Sequence, residues 1–126
     1  MSFALACVAM TGCAGDPDPT GLYVSRNNVN TIDTVRILKG GRYINQLYRK
    51  QDKSLVYTNT GRWSVKAGAI TFDKFFAEED EAHGYEFTRF DDVLIMTRLP
   101  LETRKGRLII HHKAMYDNIY LERIAP

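Results

Sequence analysis

The sequence predicts an all-β fold, a small antiparallel up-and-down barrel or strongly curled meander of eight to ten strands. Three observations carry this expectation. Glycine followed by an aromatic or apolar residue recurs at Gly21, Gly41, Gly61, Gly84 and Gly106. That is a spacing of roughly 20 residues, the length of two short strands with their turns. Between these glycines Val, Ile, Thr, Tyr and Phe dominate and alternate with polar residues, as a half-buried strand requires. No segment carries a sustained helical stripe: the best, 73–83 "DKFFAEEDEAH", has helix formers but only a short apolar face, and reads as strand followed by acidic loop.

Taken in order, strands are expected at 21–26, 33–39, 42–50, 54–59, 61–67, 69–76, 84–90, 92–99, 106–113 and 118–124. "DTVRILKGG" sets Val35 and Ile37 against Thr34 and Arg36 and ends in a Gly-Gly turn. "TGRWSVKAG" sets Trp63, Val65 and Ala67 against Arg62, Ser64 and Lys66, with Gly61 as the turn that opens it. "AITFDKFF" places Ile70, Phe72 and Phe76 on one face and Thr71, Asp73 and Phe75 on the other. "DDVLIMTRL" is apolar on both faces from Val93 to Met96, as in a strand covered on both sides. Closing such a run of strands into a barrel removes its edges.

At 126 residues the chain suits one domain, and 44% hydrophobic with 25% charged residues is a globular balance. The net charge of +2 is too small to mark a nucleic-acid binder. Both cysteines, Cys7 and Cys13, fall in the first 13 residues, which leaves the body without a disulfide framework, a Cys-based zinc site or a catalytic thiol.

Residues 2–12, "SFALACVAMTG", form an uncharged apolar run too short to span a bilayer but of signal-peptide length. The "MTGC" that closes it resembles a bacterial lipobox, with Met10 where Leu is usual. The resemblance implies that Met1–Gly12 are removed and that Cys13 becomes the lipid attachment site. Residues 13–20, "CAGDPDPT", then read as a solvated, extended tether, and 21–126 as the barrel domain. Ala14 rather than Asp after the cysteine implies the outer membrane, facing the periplasm.

The succession Gly21/Tyr23, Asp33, Gly40/Gly41/Tyr43, Gly61/Trp63 and Ile70/Phe72 resembles small lipocalin-like or avidin-like domains of bacterial envelope lipoproteins. It covers roughly residues 20–77, and Gly21-Leu22-Tyr23 stands where lipocalins carry G-x-W. The resemblance implies a barrel and brings no functional motif with it.

Reaction chemistry finds no foothold. There is no G-x-S-x-G, S-x-x-K or Walker-type loop, and Gly40-Gly41 precedes a strand rather than a helix. His111 and His112 are strand neighbours and point to opposite faces, one in and one out. Glu78, Glu79, Asp80, Glu81 and His83 lack the spacing of a calcium loop and read as a solvated acidic loop. Asp91-Asp92 reads as a turn.

Arg49, Lys50 and Lys53 and, separately, Arg104, Lys105 and Arg107 lie near turns with Tyr48, Tyr57 and Tyr116 close in sequence. They read as soluble turn charge, or as a surface for phospholipid headgroups or an acidic partner. Tyr23, Tyr43, Trp63, Phe72 and Phe87 recur with the strand rhythm and read as core, a ligand cavity at the barrel mouth being the other use of such residues. The expected protein is therefore a non-enzymatic envelope lipoprotein without cofactor or metal. Its lipid anchor ties it to the membrane, and it binds another envelope protein as an inhibitor or immunity factor would. The alternative is a carrier of a small apolar ligand; nucleic acid is not expected as a partner.

Overall fold

Side-chain alternation sets the strands. In Thr31–Leu38 every second residue, Thr31, Asp33, Val35 and Ile37, is buried while Arg36 is exposed, and in Arg42–Arg49 Tyr43, Asn45 and Leu47 are buried in the same way. The computed structural model describes residues 16–75, 95–111 and 120–126. Its strands are β1 (Gly21–Arg26), β2 (Thr31–Leu38), β3 (Arg42–Arg49), β4 (Leu55–Lys66), β5 (Ala69–Phe75), β6 (Ile95–Arg104), β7 (Arg107–His111) and β8 (Tyr120–Ala125). Each pairs antiparallel with the next, and β8 returns to β1, so the sheet is a closed eight-stranded barrel. The predicted strand 84–90, Phe76, Phe87, Val93, Cys7 and Cys13 lie outside the described residues.

Antiparallel order sends alternate connections to opposite ends. Residues 39–41, 67–68 and 105–106 turn at one end, here the tight-turn end. Ala67-Gly68 and Lys105-Gly106 both have positive φ at their two positions, the backbone of a two-residue hairpin turn whose twist matches the strands. Residues 27–30, 50–54, 76–94 and 112–119 connect strands at the other, long-connection end.

Four expectations are corrected. The segments 54–59 and 61–67 are one strand, β4, whose first part pairs with β3 and whose last part pairs with β5. Gly61 is therefore not a turn residue. It lies opposite Tyr43, and a Cβ there would meet Asp73 Oδ1 first and come within 2.8 Å of a Tyr43 ring carbon and hydroxyl. Glycine is required because the Asp73 carboxyl and the Tyr43 ring lie against its backbone.

Phe75 points inward, not outward. A register irregularity between Phe72 and Phe75, with Lys74 at φ 50°, adds a residue to β5 and reverses its parity. The carbonyls that the bulge frees are taken up by side chains. Tyr43 Oη donates to the Asp73 carbonyl, and Asn59 Nδ2 donates to Lys74 O at 2.5 Å. Asp73 Oδ1 in turn accepts the Arg62 N–H at 2.6 Å. Phe75 thereby stacks on Phe72, centroids 4.7 Å apart, and Tyr43 meets Phe72 edge-on at 4.9 Å. Burial raises the Tyr43 phenol well above its usual range, and the nearby Asp73 carboxylate adds to the rise.

The strand expected at 92–99 runs through Pro100 to Arg104. Leu101 N–H donates to Gly68 O on the β5 side, so alternation turns the Pro100 nitrogen towards β7, whose ladder begins only at Leu101↔Ile110. No ladder bond is lost. Ile95 and Met96, expected to be covered on both faces, are instead exposed where β6 begins.

The apolar core joins Tyr23, Val35, Ile37, Tyr43, Ile70, Phe72, Phe75, Leu99, Leu108, Ile110 and Leu121, with Trp63 and Val65 packed against it. Replacing Gly61→Ala forces the Tyr43 ring off the strand and loosens its bond to the β5 bulge. The expected loss is about 2 kcal/mol in urea unfolding; an unchanged midpoint would show that the ring does not need the space.

Candidate functional site

The long-connection end differs chemically from the rest of the barrel. Below it the interior is polar: Ser25, Thr31, Asp33, Asn45 and Tyr57 share the inward parity of β1 to β4. Asn45 Nδ2 donates to Asp33 Oδ1 at 2.5 Å and to Thr34 O at 2.9 Å, while its Oδ1 accepts the Tyr57 hydroxyl at 3.0 Å. Asp33 N–H donates to Ser25 Oγ at 2.9 Å. Asp33 and Asn45 are fully buried, so this network replaces water for a carboxylate in a low-dielectric interior. Asn28, also buried, donates through Nδ2 to Thr31 Oγ1 at 3.3 Å, and its Oδ1 has no hydrogen-bond partner among the described residues.

Above this network two turns are tied together. Lys50 N–H donates to Asn30 O and Lys50 Nζ to Asn28 O, both at 2.9 Å. Asp52 Oδ1 accepts from Ser54 N at 3.0 Å and Ser54 Oγ at 2.6 Å, which holds the Asp52 carboxyl below its usual range and fixes the 50–54 turn. Between the two turns lies a hollow of about 350 Å³ lined by Val29, Asn30, Arg49, Lys50 and Gln51. It offers an aliphatic contact beside two cations, a surface suited to an acidic segment with an apolar anchor.

The sequence-level candidates are distributed as follows. Tyr23, Tyr43 and Phe72 are core, as expected, and Trp63 packs against it while donating from Nε1 to Leu38 O at 2.8 Å. His111 faces outward beside Tyr120, its Nε2 2.7 Å from Glu102 Oε1. Hydrogen bonds from His111 and Arg104 lower the Glu102 carboxyl below its usual range, and Arg104 lies over the Tyr120 ring, 5.1 Å from its centroid. The two basic clusters separate: Arg49, Lys50 and Lys53 belong to the long-connection end, Arg104, Lys105 and Arg107 to the tight-turn end. Tyr48 and Tyr57 both sit in strands that lead to the long-connection end. Cys13, His83, His112, Tyr116, the acidic loop 78–81 and Asp91-Asp92 lie outside the described residues. Among the described residues no three His, Cys, Asp or Glu side chains gather as a metal site would need.

The buried polar network was not anticipated. Its signal was the parity of Asp33 with Val35 and of Asn45 with Tyr43, which places both polar side chains inside any barrel built from these strands. Comparison of the chain with protein-family models, with curated proteins and with solved structures finds no match.

Replacing Asn45→Leu strips the Asp33 carboxylate and the Tyr57 hydroxyl of a buried partner while keeping side-chain volume. The barrel should lose about 3 kcal/mol, read as a lower urea midpoint at unchanged slope. A variant as stable as the parent would mean that water already satisfies both groups.

Proposed function

We propose that the chain is a bacterial envelope lipoprotein, anchored through an acylated Cys13 in the outer membrane and facing the periplasm. In this reading the barrel is a non-enzymatic module that binds another protein through its long-connection end, in the manner of an inhibitor or immunity factor. One observation carries the choice of surface. Of the large apolar side chains exposed among the described residues, Val29 (74%), Leu55 (51%), Ile95 (58%) and Met96 (73%) share this end, and only Ile124 lies elsewhere. Exposed apolar side chains collected at one end, beside a polar and charged rim, mark an interaction surface. Arg49, Lys50 and Lys53 supply that rim and favour an acidic partner.

A carrier of a small apolar ligand needs open interior volume. Tyr43, Phe72 and Phe75 pack edge-on and face-to-face across the inside of β3 and β5, other apolar side chains fill the core around them, and Asp33 and Asn45 put a buried polar network beside it. Both features favour the protein-binding reading over the carrier.

The address is tested by the intact mass of the protein purified from bacterial membranes. A chain beginning at Cys13 with added diacylglycerol is expected, and an unprocessed soluble chain would overturn the anchor. The surface is tested by capture from envelope extract with the parent and with Val29→Asp/Met96→Asp. A stoichiometric partner held by the parent and lost by the variant is expected. Recovery of the same partner by both, or of none by the parent, would contradict the reading.

A further inference from the structure

Residues 16–20, the described part of the expected tether, are hydrogen-bonded to the barrel. Asp16 Oδ1 accepts the Gly68 N–H at 2.6 Å, in the β4–β5 turn. Arg123 Nη1 donates to Asp18 O at 2.9 Å and to Thr20 O at 3.2 Å. Tyr23 Oη donates to Pro19 O at 2.7 Å, and Pro19 itself is buried. The chain therefore joins the barrel at its tight-turn end. Only Ala14 and Gly15 separate Asp16 from Cys13.

That end is also basic. Each tight turn carries an exposed lysine, Lys39, Lys66 and Lys105, and Arg42, Arg62 and Arg107 stand exposed beside them. Of the acids nearby, Asp16 is held by the Gly68 amide and Asp18 by Thr20, whose hydrogen bonds lower the Asp18 carboxyl, with smaller contributions from Lys39 and Arg123. Glu102 pairs with Arg104 and His111, and Glu122 lies 3.7 Å from Arg107.

We propose that the tight-turn end is a membrane-facing surface, on which Lys39, Lys66 and Lys105 contact anionic phospholipid headgroups as a second signal beside the acyl anchor of the lipoprotein reading. The basic surface stands on its own geometry; only its pairing with an acyl chain rests on the lipoprotein reading. Clustered lysines near an anionic bilayer each add to binding, and one anchoring signal becomes stable when a second accompanies it.

The test uses the full chain with Cys13→Ser, which removes acylation, and vesicles of phosphatidylglycerol with phosphatidylcholine or of phosphatidylcholine alone. Sedimentation with the anionic vesicles is expected to exceed that with neutral ones and to fall as salt is raised, because the contacts are exposed. Lys39→Glu/Lys66→Glu/Lys105→Glu should weaken anionic binding on the order of 100-fold, whereas Lys50→Glu/Lys53→Glu, at the opposite end, should leave it unchanged. Circular dichroism checks that each variant folds, and the salt series on the unmutated surface decides the matter if the triple variant does not. Equal binding to both vesicle types, loss with the Lys50/Lys53 variant instead, or binding to heparin without binding to vesicles would overturn the proposal. A failed lipid mass with retained vesicle binding would instead count against the anchor alone.

Discussion

The seam between β1 and β8 is the contact on which the rest of the molecule depends. It joins the two ends of the folded chain, Leu22 to Ala125 and Arg26 to Tyr120, and by doing so leaves the sheet without an edge. The approach is close: a Cβ on Gly21, at φ 139°, would come within 2.5 Å of Ala125 O. Outside the seam, Glu122 accepts Arg26 Nε at 2.7 Å and has Arg107 Nη1 3.7 Å away, so one carboxylate ties β1, β8 and β7 together. These pairs are exposed and weak singly; the ladder itself carries the closure. Arg123, placed by the same seam, is what grips the strap, residues 16–20, at Asp18 and Thr20.

Closure then divides the inside. Towards β5 the interior is aromatic, with Tyr43, Phe72 and Phe75 packed on one another beside a bulge whose free carbonyls Tyr43 and Asn59 satisfy. Under the 27–30 turn it is polar, with Asp33 and Asn45 held in a network that spans β1 to β4. Burial raises the Tyr23 phenol to about 12, partly offset by Arg123, so this hydroxyl stays protonated and keeps donating to Pro19 across the physiological range. The core and the strap therefore share a residue: Tyr23 packs inside the barrel and fastens the segment outside it.

Much of the fold was legible because strand parity is a local property. Val35 and Ile37 are buried against exposed Arg36, and Trp63 and Val65 turn inward against Arg62, Ser64 and Lys66, as two-residue alternation requires. What failed depended on distant partners. A glycine needed for clearance under Tyr43 is indistinguishable in sequence from one needed for a turn, so Gly61 split a strand that is continuous. The inward turn of Phe75 needs a bulge, and the bulge is held by Tyr43 and Asn59 from two other strands. The basic clusters at 49–53 and 104–107 look equivalent as sequence, and only the count of strands between them sends them to opposite ends. The hydrogen bonds of the 16–20 segment have the same character: Asp16, Pro17 and Asp18 are exposed, as a solvated linker would be, but Asp16 accepts the Gly68 amide, a contact no local pattern announces.

The two ends together give the molecule a direction, with lysine-tipped turns and the strapped N-terminal segment on one side and exposed apolar side chains with a basic hollow on the other. The proposed membrane-anchored binding module would need proximity at the first end and reach at the second. The most direct measurement of that proposed direction places a fluorophore on the protein purified from bacterial membranes at Thr103→Cys, beside the β6–β7 turn, or at Val29→Cys, in the 27–30 turn. Each is then read in vesicles containing headgroup-spin-labelled lipid. The account predicts strong quenching from Thr103→Cys and none from Val29→Cys; equal quenching at both, or quenching at Val29→Cys alone, would contradict it.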